Sequence, residues 1–360
     1  MKTTLLIVAG GTGGHIFPAL STALAIRAEN PQINLRWIGT ARSREIELGK
    51  RYAIAVDVLN VTSMPTKIGV GTVVAFVKMA IGCGAAIRLL AGIRPKAVVA
   101  FGGYVCGPVL VAATFLKIPI FIHEQNAVIG KTNRTFLQRA RCLFISFAST
   151  QGITKAGIVK YVGIPVRQRD VSYKGFSYPA GFDCAKKYVL ITGGSQGAQS
   201  MNNSLVDCVK KIVDLGYQVI WQTGAPSLAA MRQACGATQN VWFFDSIDDL
   251  YPFYACATLL IARAGAGTIA EAAYFGVPSV LIPLPWSADN HQWFNAGAAQ
   301  DAGWAIRVQQ SETCGKEVFA AVQKIVGECA TYQKMAECAK AFSKPDAAQK
   351  ISAEIIAQSL

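Results

Sequence analysis

Six short stretches combine residue types that could do chemistry. "GGTGGH" (Gly10–His15) and "GGSQGA" (Gly193–Ala198) are glycine-rich turns, each set between an apolar run and a helix-like stretch. Glycines let a backbone approach a phosphate closely, and the next helix's N-terminus adds unpaired N–H groups and the positive end of its dipole. "RAGAGTIAE" (Arg263–Glu271) opens another helix with small residues and carries a carboxylate, Glu271, about a turn inside it. A carboxylate there can accept both hydroxyls of a ribose while nearby N–H groups take phosphate. "FGGYVCGP" (Phe101–Pro108) is a further Gly-Gly turn, with Tyr104 as a polar aromatic. "HEQN" (His123–Asn126) places four polar side chains after the strand-like "IPIFI", which reads as a site rather than as core. "DNHQ" (Asp289–Gln292) adds more polar groups further along the chain.

The first loop departs from the dinucleotide fingerprint. Counted from Gly11, the sixth position is Ile16 rather than glycine, and the second strand ends "WIGT" (Trp37–Thr40) without an acid for a ribose. No P-loop Gly-Lys-Ser/Thr is present. His15 closes the loop with an imidazole, which can accept a proton near neutral pH. Glu124 is the rival base. There is no Asp-x-Asp motif and no Cys/His cluster with zinc spacing, so neither a metal nor another cofactor is expected.

These loops need strands and helices to hold them. Apolar runs rich in Val, Ile and Leu alternate with helical stretches along the chain. In the first half the runs are "TTLLIVA", "NLRWIG", "IAVDVLNV", "AVVAF", "IPIFIH", "CLFISF" and "VKYVG". In the second they are "KYVLIT", "YQVIWQT", "VWFF", "TLLIAR", "SVLIP" and "WAIRV". Continuous runs imply strands buried on both faces, hence parallel sheets in doubly wound α/β units. "LLIVAGGTGGHIFPAL" and "VLITGGSQGAQSMNNSL" repeat one design, so two such domains are expected, with ligands at the carboxyl ends of their strands. The Pro-, Gly- and charge-rich stretch 162–187 reads as the linker between them. Residues 1–165 and 166–340 would be the domains. Residues 341–360 would be a C-terminal helix packing back on the first, with Pro345 near its start.

Composition narrows the class. Of 360 residues, 52% are hydrophobic and 16% charged, which argues for packed cores and against disorder. The net charge of +14 is one-sided: residues 1–165 hold 19 basic and 5 acidic residues, and residues 166–360 hold 16 of each. A basic half suggests an anionic partner such as lipid headgroups, nucleic acid or a pyrophosphate. No nucleic-acid-binding motif supports the second. The apolar segment 68–96 is interrupted by Lys78, Arg88 and Arg94, which speaks against a transmembrane helix. It suits either a helix lying in the plane of a membrane or one buried against the first sheet. The ten cysteines are scattered and read as reduced and structural, in the cytoplasm.

Taken in order, GGTGGH, FGGY, HEQN, VGIPVR, GGSQGA, RAGAGTIAE and DNHQ resemble the MurG family, over roughly residues 3–340. These are bacterial N-acetylglucosaminyltransferases that complete the lipid-linked peptidoglycan precursor. The resemblance implies the GT-B architecture, two Rossmann-like domains facing across a cleft, with the donor nucleotide sugar on the second and the acceptor on the first. It implies that Thr12, Gly13 and Gly14 lie near the donor sugar and that Asn126 bonds the N-acetylglucosamine. Arg167 and Ser195 would hold the nucleotide and its phosphates, and the backbone of Ile247 would meet uracil. Ala266, Gly267, Thr268, Ile269, Ala270 and Glu271 would wrap phosphate and ribose, and Gln292 would read sugar hydroxyls. Gly102, Gly103 and Tyr104 would help form the acceptor side. Two departures stand out. "PLPWSADNHQ" is one residue longer than the family pattern, which brings His291 into question beside Gln292. "AGAGT" replaces Ser-Gly-Ala-Leu-Thr and so removes a hydroxyl at Ala264.

The implied reaction moves N-acetylglucosamine from UDP to the C4 hydroxyl of undecaprenyl-pyrophosphoryl muramoyl pentapeptide, with inversion. The implied setting is peripheral, on the cytoplasmic face of the inner membrane, with anionic lipid as a further partner. The rivals are a related glycolipid synthase and a UDP-sugar epimerase of similar fold.

Overall fold

The computed structural model describes residues 3–41, 43–62, 70–154, 157–167, 176–194, 197–236 and 238–359. The chain divides into two compact units. One is Met1–Gln168 with Pro345–Leu360, and the other is Arg169–Lys344.

The first unit carries seven strands: β1 (Thr4–Val8), β2 (Asn34–Gly39), β3 (Ala55–Val58), β4 (Ala97–Ala100), β5 (Ile120–Glu124), β6 (Ala140–Ile145) and β7 (Ile158–Tyr161). Its helices are α1 (Gly13–Glu29), α2 (Ser43–Arg51), α3 (Val70–Ile93), α4 (Cys106–Phe115) and α5 (Lys131–Phe136). All strand pairs are parallel, in the order β3-β2-β1-β4-β5-β6-β7. Alternate strand residues feed two cores. Leu6, Val8, Val98 and Ala100 pack with Leu90 of α3 and Val109 of α4. Leu5, Ile7, Ala97 and Val99 pack on the other face with Ala19 and Ala23 of α1. Both faces are covered, as continuous apolar strands require.

The second unit carries β8 (Tyr188–Thr192), β9 (Gln218–Gln222), β10 (Val241–Phe244), β11 (Leu259–Ala262), β12 (Ser279–Leu281) and β13 (Ala305–Arg307). Its helices are α6 (Gln199–Asp214), α7 (Leu228–Cys235), α8 (Tyr251–Cys256), α9 (Ala266–Phe275), α10 (His291–Asp301), α11 (Cys314–Val326) and α12 (Cys329–Phe342). The sheet is again parallel, in the order β10-β9-β8-β11-β12-β13. The last helix, α13 (Ala347–Ser359), belongs to the first unit. Ile351 and Ile355 enter the α1-side core, Lys160 pairs with Glu354, and Arg141 donates to the Gln358 carbonyl at 2.8 Å.

Some expectations need correction. Pro345 lies in a turn before α13 rather than within its first turn. The division between units falls after Gln168, so Arg167 goes with the first unit. Residues 176–187 do not behave as a linker. Phe182 stacks edge-on against Tyr188 and Trp242, with ring centroids 4.9 and 5.3 Å apart, and Tyr178 lies edge-on to Phe253 at 5.6 Å. Such pairs add to area burial and hold this stretch on the second unit. β7 is exposed along its whole length, because an edge strand has a neighbour on one side only.

Segment 68–96 divides by face. Among the described residues of α3, Ala75, Ala86 and Leu90 are buried, whereas Val74, Val77 and Ile81 are 48%, 54% and 65% exposed. Lys78, Arg88 and Arg94 are also exposed. No helix among the described residues is long and apolar enough to cross a membrane.

Candidate active site

In each sheet the chain reverses its direction of strand addition at one place, between β1 and β4 and between β8 and β11. Crevices at the carboxyl ends of such strand pairs are where open α/β sheets bind ligands. The loops singled out from sequence follow these four strands.

In the first unit Gly10–His15 follows β1 and Phe101–Tyr104 follows β4. Thr12 caps α1 in extended conformation, and its carbonyl accepts from His15 and Ile16 N–H at 3.1 Å. Gly13 and Gly14 therefore form the helix's first turn, whose N–H groups have no intrahelical partner. The His15 ring nitrogen Nδ1 lies 3.3 Å from Thr12 Oγ1. The second loop fits against the first. A Cβ on Gly102 would stand 2.8 Å from His15 Cδ2 and 2.9 Å from Nε2, and one on Gly103 would stand 2.2 Å from the Gly10 carbonyl oxygen. Both residues have positive φ, +103° and +86°, so glycine is required twice over. Tyr104 reaches the first loop beside Gly11.

Three groups brace this pair of loops. Glu45 of α2 is fully buried, and its Oε1 accepts from Gly11 N–H at 3.2 Å and Thr40 Oγ1 at 2.7 Å. The acid missing from the end of β2 thus comes from the next helix, and the loop backbone itself uses it. Gln125 donates to the Phe101 carbonyl at 2.6 Å and to His123 Nδ1 at 3.0 Å. Arg167 lies over the Phe17 ring of α1, 5.1 Å from its centroid, beside the loop helix rather than on the second unit.

The reading of "HEQN" as four site residues is corrected. His123, Glu124 and Gln125 are buried, and only Asn126 is part-exposed. Glu124 accepts from the backbone N–H groups of Asn126 (3.0 Å) and Gly130 (2.9 Å) and from the side chains of Asn126 and Asn133. Burial pushes its carboxyl pKa up, against the pull of these bonds. A carboxylate so engaged positions the Asn126 turn and has little access to a substrate proton. His123 Nδ1 accepts from Gln125, so its proton is on Nε2, facing the Gly163 carbonyl at 3.0 Å.

Burial also pushes the His123 imidazole down to about 4, opposed by the Gly163 bond. Above pH 6.5 the ring is neutral folded or unfolded. Below it the unfolded chain binds a proton that the fold refuses, so stability is lost as pH falls toward about 4. The gap corresponds to about 3 kcal/mol. Thermal melting of wild type should fall more steeply than that of His123→Gln between pH 6.5 and 4. Parallel curves would contradict this.

In the second unit the Gly193 turn follows β8 and Arg263–Glu271 follows β11. Thr192 Oγ1 donates to Gln222 and accepts from Gly194 N–H at 3.1 Å, and Gly197 N–H closes on the Gly194 carbonyl at 3.0 Å. Ser195 lies outside the described residues. Gly265 caps α9. Of the six expected ligand residues, Ala266 and Ile269 turn into the core and offer a ligand only backbone; Gly267, Thr268, Ala270 and Glu271 are part-exposed. Ile247 is half-buried in irregular backbone between β10 and α8.

Gln292 stands at the start of α10. Its Oε1 accepts from Leu284 N–H at 2.9 Å, which leaves the amide NH2 as the end suited to reading hydroxyl groups. His291 Nδ1 is engaged with the Ala288 carbonyl at 2.7 Å. Asp289 and Asn290, both in left-handed backbone, make the turn between Leu284 and this helix.

Arg263, the first residue of "RAGAGTIAE", has surroundings that its place in the sequence does not display. Its guanidinium is buried, donating to the carbonyls of Ile282 and Pro283 and to Ser200 and Gln310. Among the described residues no carboxylate pairs with it. Burial lowers its pKa to about 10, so it stays charged at neutral pH. This places a cation with only neutral partners beneath the α6 and α9 loops, an arrangement suited to an anion.

Residues 5–145 match the Glycosyltransferase family 28 N-terminal domain and residues 188–351 its C-terminal domain. A Caldanaerobacter subterraneus protein is 33% identical over 96% of this chain and 97% of its own length. It is named UDP-N-acetylglucosamine--N-acetylmuramyl-(pentapeptide) pyrophosphoryl-undecaprenol N-acetylglucosamine transferase. This chain belongs to the MurG family. The crystal structure of MurG from Acinetobacter baumannii, 29% identical, superimposes with a TM-score of 0.77 over 99% of this chain and 100% of that one. The expected pair of Rossmann-like parallel-sheet domains is that of MurG. A UDP-GlcNAc 2-epimerase from Neisseria meningitidis shares the fold at a TM-score of 0.68 over 99% of this chain and 100% of that one, with 15% identity, and shows no more than fold.

Proposed function

We propose that this MurG-family chain transfers N-acetylglucosamine from UDP-N-acetylglucosamine to the C4 hydroxyl of an undecaprenyl-pyrophosphoryl N-acetylmuramoyl pentapeptide, inverting the anomeric carbon. The observation that carries this is the match along nearly the whole chain to a relative named for that transfer. The loops at both strand-order reversals support it.

The second unit is the donor site in this reading. The N-terminus of α9 and the turn after β8 take the diphosphate, Glu271 the ribose, the Ile247 backbone the uracil and Gln292 the sugar. The first unit serves the acceptor, with Thr12, Gly13, Gly14 and Asn126 near the transferred sugar. Inversion is a single displacement, so the protein must remove the acceptor's proton and stabilise the departing UDP. His15 is the base. Its Nε2 takes the C4 proton, while Nδ1–H turns to Thr12 Oγ1. Leaving-group charge falls to helix N-termini, Ser195, Arg167 and the buried Arg263, without a bound metal.

Two tests follow. Glu271→Ala should raise the UDP-N-acetylglucosamine KM by about 10–100-fold, the worth of hydrogen bonds to a charged group, with a smaller change in kcat. The assay is run in EDTA, where the full rate is expected. An unchanged KM would remove Glu271 from the donor site, and a rate lost in EDTA and restored by magnesium would reinstate a metal. With donor alone no 2-epimer should form; its appearance would favour the epimerase.

The exposed apolar side chains of α3, flanked by Lys78, Arg88 and Arg94, suit a helix lying on anionic lipid at the cytoplasmic face of the inner membrane. The full chain should sediment with vesicles containing anionic lipid, and Ile81→Glu should weaken this about tenfold. Equal binding to neutral vesicles, or no effect of Ile81→Glu, would contradict it.

A further inference from the structure

Glu45 of α2 is a fully buried acid in the first unit. Its Oε1 accepts from two donors, Gly11 N–H at 3.2 Å and Thr40 Oγ1 at 2.7 Å. Its Oε2 is buried as well and meets no hydrogen-bond donor among the described residues. No Lys or Arg among them pairs with the carboxyl group. Such a group is costly to bury, and an apolar side chain would be less so. Both of its bonds go to the first loop and to the residue that follows β2.

The backbone around it leaves room for this reach. A Cβ on Gly39 would lie 3.3 Å from Glu45 Cβ and Cγ, and one on Gly10 would lie 3.2 Å from Oε1. Thr40 is anchored by the sheet, where Ala9 N–H continues the pairing of β1 with β2 on the Ile38 carbonyl at 3.3 Å. The carboxyl group is therefore a prop between a fixed strand end and the loop.

The prop leads to the imidazole. Gly11 has a φ of +95°, and the next residue, Thr12, is the N-cap of α1. Thr12 Oγ1 lies 3.3 Å from His15 Nδ1, and the Thr12 carbonyl accepts from His15 N–H at 3.1 Å. The Gly11 peptide sets the cap, and the cap holds His15 by ring and backbone. Arg44, beside Glu45, lies over the Phe17 ring of α1, 4.9 Å from its centroid. The first turn of α2 grips the loop on one side of Thr12 and the helix on the other.

We infer that Glu45 is a positioning residue for the transfer: it fixes Gly11, and through Thr12 it sets where the His15 imidazole stands. This rests on the reading of His15 as the base. Glu45 itself takes no proton from the acceptor, since its bonds end at Gly11 and Thr40.

The test compares Glu45→Leu, Glu45→Gln and Thr40→Val in the full chain, by steady-state kinetics and by NMR of isotope-labelled histidine. The chain has three histidines, His15, His123 and His291, and His15→Gln assigns the first signal. Glu45→Leu keeps the bulk and removes the acceptor. It should shift the His15 signal and leave those of His123 and His291 in place. Its kcat should fall by about tenfold, the effect of a misplaced reacting group, with the UDP-N-acetylglucosamine KM within about threefold. Glu45→Gln keeps an accepting oxygen, so its His15 signal and kcat should both stay near wild type. Thr40→Val removes one anchor of Glu45 and should shift the His15 signal in the same direction by less, which keeps the test open if Glu45→Leu does not fold. A role in folding alone would lower the Tm and leave the His15 signal and kcat of the folded enzyme unchanged, and that result would overturn the proposal. So would a Glu45→Gln enzyme as impaired as Glu45→Leu. A shifted His15 signal with wild-type kcat would uphold the hold of Glu45 on the ring and count against His15 as the base, so the two readings fail separately.

Discussion

Replacing His15 by alanine should lower kcat by about 10²–10⁴-fold, the usual worth of a positioned general base, with the UDP-N-acetylglucosamine KM changed by less than about threefold. The imidazole is on the first turn of α1, Nδ1 faces Thr12 Oγ1 at 3.3 Å, and Gly102 withholds a side chain from the Nε2 side. That arrangement suits the role of base proposed above for His15. The residues expected to grip the nucleotide, Arg167 apart, are by contrast on the second unit. Steady-state kinetics with both substrates varied, beside UDP binding by calorimetry, separate the roles. If affinity collapsed while turnover held, His15 would be a binding residue. Glu124→Gln should show loss of folding stability as well as lost rate, because its carboxylate organises the Asn126 turn through four hydrogen bonds.

The second large effect is expected from Gly102→Ala, one methyl group added outside the reacting residues. Its Cβ would lie 2.8 Å from His15 Cδ2 and 2.9 Å from Nε2, and φ is +103°. The ring must move, since the backbone behind Gly102 is held by Gln125 on the Phe101 carbonyl and by Gly103 against Gly10. A displacement near 1 Å can cost about 10²-fold in rate, so kcat should fall by about that factor. The backbone conformation adds a stability cost of about 1–3 kcal/mol, which thermal melting reads separately. UDP affinity should be unchanged. A Gly102→Ala enzyme with wild-type kcat would show that the imidazole's position does not matter, and would weaken the case for His15 as base.

The strands of the two sheets were legible because both faces of a parallel sheet are covered, which writes unbroken apolar runs such as "AVVA" and "YVLIT" into the chain. The signal misleads at edges: "IVKY", apolar but for Lys160, is exposed throughout. The paired glycine turns were legible for the same topological reason. They follow β1, β4 and β8 and so mark where the strand order reverses. What failed was the assumption that clustered polar residues after a strand are a site. His123, Glu124 and Gln125 are buried because backbone carbonyls and N–H groups of neighbouring loops need partners, a demand that sequence does not display. Glu45 and Arg263 were missed for a related cause. Each is one charged residue in an ordinary helical or strand-end context, and only the fold brings its charge under a loop. The stretch 176–187 looked like a linker by its Pro, Gly and charge, while its aromatic residues carried the contacts that anchor it.

The most direct test of the account supplies the purified chain with UDP-N-acetylglucosamine and a short-chain lipid-linked muramoyl pentapeptide, and follows UDP and the product sugar together. One UDP should be released per disaccharide formed, with a β linkage to C4 of the muramoyl residue. UDP released without disaccharide, a retained α linkage, or transfer to an acceptor lacking the muramoyl pentapeptide at the same rate would contradict it.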